Sequence, residues 1–144
     1  MSSKITIAIQ RKGRLYEDSK NLLAQSGINF SMSGERLLAR SSAMDIDILL
    51  ARDDDIPSLV SKGVADLGIV GQNVLAEQIA TNKKISARSI LKLGFSKCNL
   101  AFAKPLNSKL RSLKNKTIAT SYPGLVKNYL KSNNIDADVI KING

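Results

Sequence analysis

The stretch DIDILLARDDDIPSLVSKGVADLGIVG, residues 45–71, decides how the chain is read. Its "IDILLA" is a short, nearly continuous apolar run, as expected of a strand covered on both faces. "RDDD" is then a loop at the C-terminal end of that strand. "IPSLVSKGV" follows as a helix, with Pro57 tolerated in the first turn and Gly63 closing it. "ADLGIVG" reads as a second buried strand and "QNVLAEQIA" as another helix. Strands alternating with helices predict βαβ units and a largely parallel sheet.

The pattern extends in both directions. Upstream, "KITIAIQ" alternates as a strand, "RKGR" is a turn, and "LYEDSKNLLAQSG" is a helix. That helix should face inward with Leu15, Leu22 and Leu23 and end at Gly27. "FSMSGERLLARSS" (30–42) is ambiguous and compatible with a hairpin. Downstream, residues 81–93 form a polar crossing segment. "CNLAFAKP" then reads as a strand, "SKLRSLKN" as a short helical or turn segment, and "KTIAT" as a strand. "SYPG" is a loop, "LVKNYLKSN" a helix and "DADVIKI" a final strand. The second half thus repeats the pattern of the first. We expect two α/β lobes, residues 1–92 and 93–144.

Composition narrows the chemistry. The 144 residues contain one cysteine, Cys98, and no histidine. An internal disulfide, a Cys/His zinc site, a Ser-His-Asp triad and a histidine base are excluded. What remains suits the positioning and electrostatic stabilisation of anions. Cys98 reads as a small core residue. No apolar run approaches the ~20 residues needed to span a bilayer. The start "MSSKITIAIQ" does not resemble a signal peptide, so a cytoplasmic protein is expected.

The net charge is +10, yet residues 45–71 hold six of the twelve acids. Residues 78–135 hold twelve Lys and Arg and no acid. Such a field attracts polyanions. Nucleic acid, phosphorylated small molecules and a merely solvated basic surface compete as explanations. Nucleic acid is disfavoured, because RNP-type aromatics and a zinc module are lacking.

Ligands of open parallel sheets bind beyond the carboxyl ends of the strands. Four such places can be named: residues 11–14, 52–55, 71–73 and 120–124. Each precedes a helix whose first amides are free to meet an anion. Within "RDDD", aspartates that cap the helix contribute about 0.5–2 kcal/mol each. That accounts for one or two of them, leaving a salt bridge or a ligand contact for the third. Arg52 has two readings, a phosphate ligand or an ion pair with its own aspartates. "RKGR" is either a solvated basic turn or a phosphate loop. In "GIVGQN", Gly68 points to close packing and Gly71 to close backbone approach. "TSYPG" is either an ordinary cap or a ligand loop. Neither GxxxxGK[ST] nor GxGxxG is present, which argues against a P-loop NTPase and a standard dinucleotide fold.

The segments "RKGRLYEDSKNLL", "GERLLARSSAMDIDILLARDDDIPSLVSKGVADLGIVGQNVL", "LGFSKCNLAFAKP" and "TIATSYPGLVKNYL" resemble, in order, those of the ATP phosphoribosyltransferase family of histidine biosynthesis, in its long form. The resemblance implies a two-lobed fold similar to type II periplasmic binding proteins, with the active site between the lobes. It implies attack of adenine N1 of ATP on the anomeric carbon of phosphoribosyl pyrophosphate, with Mg²⁺ accompanying the substrate phosphates and no protein metal ligand assigned. Lys12, Gly13 and Arg14 would then lie near substrate phosphates, Arg52 would be catalytic at the departing pyrophosphate, and Gly71 would line the cleft. Thr120, Ser121 and Tyr122 would belong to the second lobe's side. A homo-oligomer is expected, without nucleic acid or membrane as partner. The family's D-[LIV]-V-x-[ST]-G-x-T phosphoribosyl-pyrophosphate loop is not reached within these 144 residues, nor is a regulatory domain. The second lobe is therefore expected to be incomplete and the chain alone inactive. The alternative is a non-catalytic anion- or nucleotide-binding α/β module.

Overall fold

The computed structural model describes residues 4–143, in two compact units divided after Ser96. It is a mixed α/β structure in which all strand pairs but one are parallel.

Unit 1 is built on the strands β1 (Ile5–Gln10), β2 (Leu38–Arg40), β3 (Ile46–Ala51) and β4 (Leu67–Gly68), in the order β2-β3-β1-β4. β1 runs parallel to β3 in full register, from Ile5 opposite Ile46 to Gln10 opposite Ala51. β2 is antiparallel to β3. The ambiguous segment 30–42 is a hairpin only at one bridge, between Phe30 and Ser41. Its strand pairs onward with β3, because that side of the sheet is open.

Alternation along β1 divides the core. Ile7 and Ile9 face one side, with Leu23, Ala39, Ile48 and Leu50; Ala8 faces the other, with Ile56 and Ala65. Full burial of a residue such as Ile9, Ile48 or Ile56 stabilises by about 1.5–3 kcal/mol. Helix α1 (Arg14–Gln25) covers the first face. Its inward stripe is Tyr16, Ser19 and Leu23, whereas Leu15 and Leu22 are only half-buried. Ser19 turns its hydroxyl back to the Leu15 carbonyl at 2.5 Å, which lets it be buried without an unmet donor. The helix ends as expected at Gly27, at φ 79°, where the Ile28 amide reaches the Leu23 carbonyl at 2.8 Å.

After β3 comes a 3₁₀ turn (Asp53–Asp55), then α2 (Ile56–Ser61) on the other face of the sheet. Gly63, at φ 71°, closes α2. Gly68 is a packing glycine. A Cβ there would lie 2.5 Å from Ile56 Cγ2 and 3.0 Å from Val60 Cγ2. The expected buried strand at 65–71 is reduced to two paired residues, and Leu67 stays 41% exposed. It is the edge of the sheet, so beyond Gly68 only one neighbour is available and the chain departs into α3 (Gln72–Thr81).

Residues 82–96 lack helix and strand but are tied down. Ser61 Oγ accepts the Ser86 amide at 2.7 Å and donates to the Lys84 carbonyl at 3.2 Å, and the Ser96 hydroxyl donates to the Asp18 carboxylate.

Unit 2 contains a single β-α-β: β5 (Thr117–Thr120), α4 (Pro123–Ser132) and β6 (Asp138–Lys141), with β5 and β6 parallel. Asn134, at φ 55°, ends α4, and the Ile135 amide returns to the Leu130 carbonyl at 2.9 Å. The strand expected in "CNLAFAKP" does not form. Residues 98–105 form neither helix nor strand, Leu100 and Phe102 are about half exposed, and Cys98 is exposed rather than in a core. β-propensity without a pairing edge does not make a strand. Phe102 finds one contact, a tilted ring pair with Tyr129 at 5.3 Å. No helix among the described residues is long and apolar enough to cross a membrane.

Candidate functional site

Because β3, β1 and β4 are adjacent and parallel, their carboxyl ends share one edge of the unit 1 sheet. Three loops leave that edge for three helices. The Arg11 amide donates to the Ala51 carbonyl at 2.9 Å, fastening the first loop beside Arg52. The Ile69 amide donates to the Ala8 carbonyl at 2.9 Å, holding the third loop to β1. Lys12, Gly13, Arg14, Arg52 and Gly71 are thus brought to one edge. Thr120, Ser121 and Tyr122 belong to unit 2, at the carboxyl end of β5.

The first loop leaves cations and backbone amides exposed. Gly13, at φ 98° and ψ −173°, precedes α1, and its carbonyl accepts the Tyr16 and Glu17 amides. A Cβ at Gly13 would meet nothing closer than 3.8 Å, so the backbone conformation, not space, requires glycine. No side chain caps α1. Its first amides therefore remain available to an anion at the positive end of the helix. Arg11, Lys12, Arg14 and Arg52 are all exposed, and none forms an ion pair among the described residues. Arg11 belongs to the "RKGR" loop read from sequence, although no role of its own is assigned to it there.

Arg52 adopts an extended conformation at the end of β3, and its carbonyl accepts the Asp55 amide at 3.0 Å. The ion pair with its own aspartates does not form. Capping is also weaker than the sequence suggested, since no aspartate side chain caps α2. Asp53 Oδ1 instead accepts the neighbouring Asp54 amide at 3.0 Å. At Gly71 the close approach is made from within the chain, because a Cβ would lie 2.7 Å from Asn73 Oδ1.

Two of the remaining acids of the 45–71 cluster, Asp47 and Asp66, work at the opposite end of the sheet. Asp47 is buried, 2.6 Å from Lys4 Nζ and 3.4 Å from Arg40 Nε. The Lys4 hydrogen bond, opposed by desolvation and supported by Arg40, holds its carboxyl below the usual carboxylate range. Asp66 accepts the Thr6 amide through Oδ2 at 2.8 Å, while its own amide donates to the Thr6 carbonyl at 2.9 Å. These two acids fasten strands together. They do not face the loops.

In unit 2, Thr120 Oγ1 accepts the Tyr122 amide at 3.0 Å, so this hydroxyl shapes the turn into α4. No side chain caps α4, and Ser121 is exposed. Among the described residues no group of three or more His, Cys, Asp or Glu is placed to hold a metal ion.

The family model described as HisG, ATP phosphoribosyltransferase, matches residues 52–144. An ATP phosphoribosyltransferase of Bacteroides thetaiotaomicron is 45% identical over 143 residues, covering 97% of this chain and 49% of the relative. One of Maricaulis maris is 39% identical over 148 residues, covering all of this chain and 50% of the relative. The chain thus spans about half the length of these relatives. Among solved structures, the ATP phosphoribosyl transferase (HisG:HisZ) complex of Thermotoga maritima is similar, with a TM-score of 0.65 and 25% identity over 97% of this chain and 65% of that one. With a family match over more than half of its residues, the chain belongs to the HisG family of ATP phosphoribosyltransferases.

Proposed function

We propose that the chain forms the N-terminal half of an ATP phosphoribosyltransferase, which joins adenine N1 of ATP to the anomeric carbon of phosphoribosyl pyrophosphate, expels pyrophosphate and so opens histidine biosynthesis. The observation that carries this reading is the set of four exposed cations, Arg11, Lys12, Arg14 and Arg52, which form no ion pair among the described residues, at the carboxyl edge of a largely parallel sheet in a member of this family. Both substrates are polyphosphates, and negative charge grows on the departing pyrophosphate as its bond to the anomeric carbon breaks.

In this reading Lys12, Arg14 and the amides behind Gly13 bind and orient substrate phosphates. Arg52 stabilises the departing pyrophosphate, and the backbone at Gly71 shapes the wall of the site. Thr120, Ser121 and Tyr122 are the substrate-binding loop of unit 2. Holding two substrates in register is the main contribution, since a misplacement of ~1 Å costs about a hundredfold. Mg²⁺ supplies charge neutralisation on the phosphates. In this reading the ion arrives with the substrate, and the exposed cations and free amides of the loops would meet the phosphates it accompanies. We extend the reading to a fold of the type II periplasmic-binding-protein kind, to a homo-oligomer and to a cytoplasmic location.

The test is a chimera in which residues 1–144 replace the matching half of the Bacteroides thetaiotaomicron relative. Phosphoribosyl-ATP formation within tenfold of the parent supports the proposal. A folded chimera with no turnover, beside an active parent, overturns it.

A further inference from the structure

We propose that unit 2 carries a second anion site, for a linear polyphosphate chain, in the hollow beside the N-terminal end of β5. The hollow is open, about 600 Å³ in volume, and lined by Ser108, Lys109, Arg111, Ser112, Lys114 and Lys116 among others. Lys116 immediately precedes β5, whereas Thr120 to Tyr122 follow its other end. The hollow is therefore separate, within unit 2, from the loop assigned to substrate above.

Its chemistry is one-sided. Four cations line it within eight residues, and none forms an ion pair among the described residues. Ser108 Oγ accepts the Leu110 amide at 3.2 Å, and Ser112 Oγ accepts the Lys114 amide at 3.1 Å. Each serine oxygen thus accepts from a backbone amide and retains an O–H donor. Lys104 Nζ donates to the Ser108 and Leu110 carbonyls, at 3.4 and 3.0 Å, and so fixes one rim. The opposing charges are Asp136 and Asp138, on the approach to β6 and at its start. Both are tied to this segment through backbone: the Asn115 amide donates to the Asp136 carbonyl at 2.7 Å, and the Asp138 amide to the Lys116 carbonyl at 2.8 Å. Two carboxylates leave the four cations in excess.

A single phosphate needs two such cations. Four cations and two hydroxyl donors match an extended, multiply charged anion lying along an open surface. Inorganic polyphosphate and the tail of a nucleoside triphosphate share this chemistry.

Titration of residues 1–144 with tripolyphosphate, by calorimetry at about 0.15 M salt, tests the site. In a chain that already carries Lys12→Gln, Arg14→Gln and Arg52→Gln, replacing Lys109, Arg111, Lys114 and Lys116 by Gln should weaken the remaining binding at least tenfold. Replacing four scattered lysines, Lys62, Lys83, Lys97 and Lys127, by Gln should change it less than threefold. The loop variant Lys12→Gln, Arg14→Gln, Arg52→Gln should leave the hollow's binding in place, which separates this site from the proposed active site. Amide shifts of Ser112 and Lys114 in the unsubstituted chain should move on titration, and this readout needs no variant to fold. Tighter binding of a nucleoside triphosphate than of tripolyphosphate names the nucleotide tail as the source; equal binding names the free anion. The proposal is overturned by absence of tripolyphosphate binding, by equal losses in the hollow and scattered variants, or by unmoved Ser112 and Lys114 amides. A single-stranded oligonucleotide that displaces tripolyphosphate at a tenfold lower concentration overturns it in favour of nucleic acid.

Discussion

The two units use the same β-α-β grammar with different results. Unit 1 lays helices on both faces of a four-stranded sheet and buries Ile7, Ile9, Ile48, Leu50 and Ile56. Unit 2 has two strands and one helix, and Leu130 is its one buried apolar residue among those described. Ile140 and Ile142 on or beside β6 stay about half exposed. The difference teaches that alternating strands and helices do not suffice. A sheet of two strands has no central strand, so no position is covered by neighbours on both edges and helices on both faces.

The contrast can be broken by mutation. Ile48→Ala should destabilise the chain by about 2–5 kcal/mol, seen as a lower urea midpoint, because it opens a cavity in the central strand. Ile140→Ala should cost no more than about 0.5 kcal/mol. Native-state hydrogen exchange should likewise protect β1 and β3 far more than β5 and β6. Equal protection in the two sheets would remove the distinction.

A smaller effect is expected at the sheet edge. Gly68→Val should cost about 1–3 kcal/mol, since Ile56 and Val60 occupy the space its side chain needs. An unchanged thermal midpoint would mean that α2 can move away, and that unit 1 is more loosely packed than described.

Arg52→Ala sharpens the comparison in another way, by separating the function of unit 1 from its stability. Arg52 is exposed and forms no ion pair among the described residues, so the fold should persist. In the chimeric enzyme, turnover to pyrophosphate should fall at least tenfold, equivalent to ~1.4 kcal/mol of lost transition-state stabilisation. Near-normal turnover would leave Arg52 a solvated side chain.

The smallest effect concerns pH. The folded state holds Asp47 below its ordinary pKa of 3.8, through Lys4 first. A depressed carboxylate contributes stability above its unfolded pKa, and this is lost as the pH falls through the folded value. Asp47→Asn should therefore lower the urea midpoint at pH 7, and the gap from the unsubstituted chain should close as the pH falls below about 3.8. A gap that persists in acid would assign the loss to packing.

Much of unit 1 was legible because its signals are local. The apolar runs of β1 and β3 mark central strands, and Gly27 and Gly63 both close helices at positive φ. The candidate loops were legible for the same reason: each is the first turn after a strand. The face of α1 was misread, since Ser19 satisfies its own hydroxyl and is buried where Leu15 and Leu22 are not. The roles of the acids were equally hidden. Nothing local tells Asp47, paired with Lys4 across two strands, from Asp54, which meets solvent.

The sequence by itself determined the alternation of strands and helices in unit 1, the largely parallel character of its sheet, the basic loops and the family. These follow from residue periodicity, turn chemistry and motif order, all properties of neighbouring residues. Only the tertiary structure decided which runs became strands. "ADLGIVG" was cut to Leu67 and Gly68 at an edge, and "CNLAFAKP" stayed unpaired. A strand is defined by a partner's hydrogen bonds, and the partner lies elsewhere in the chain.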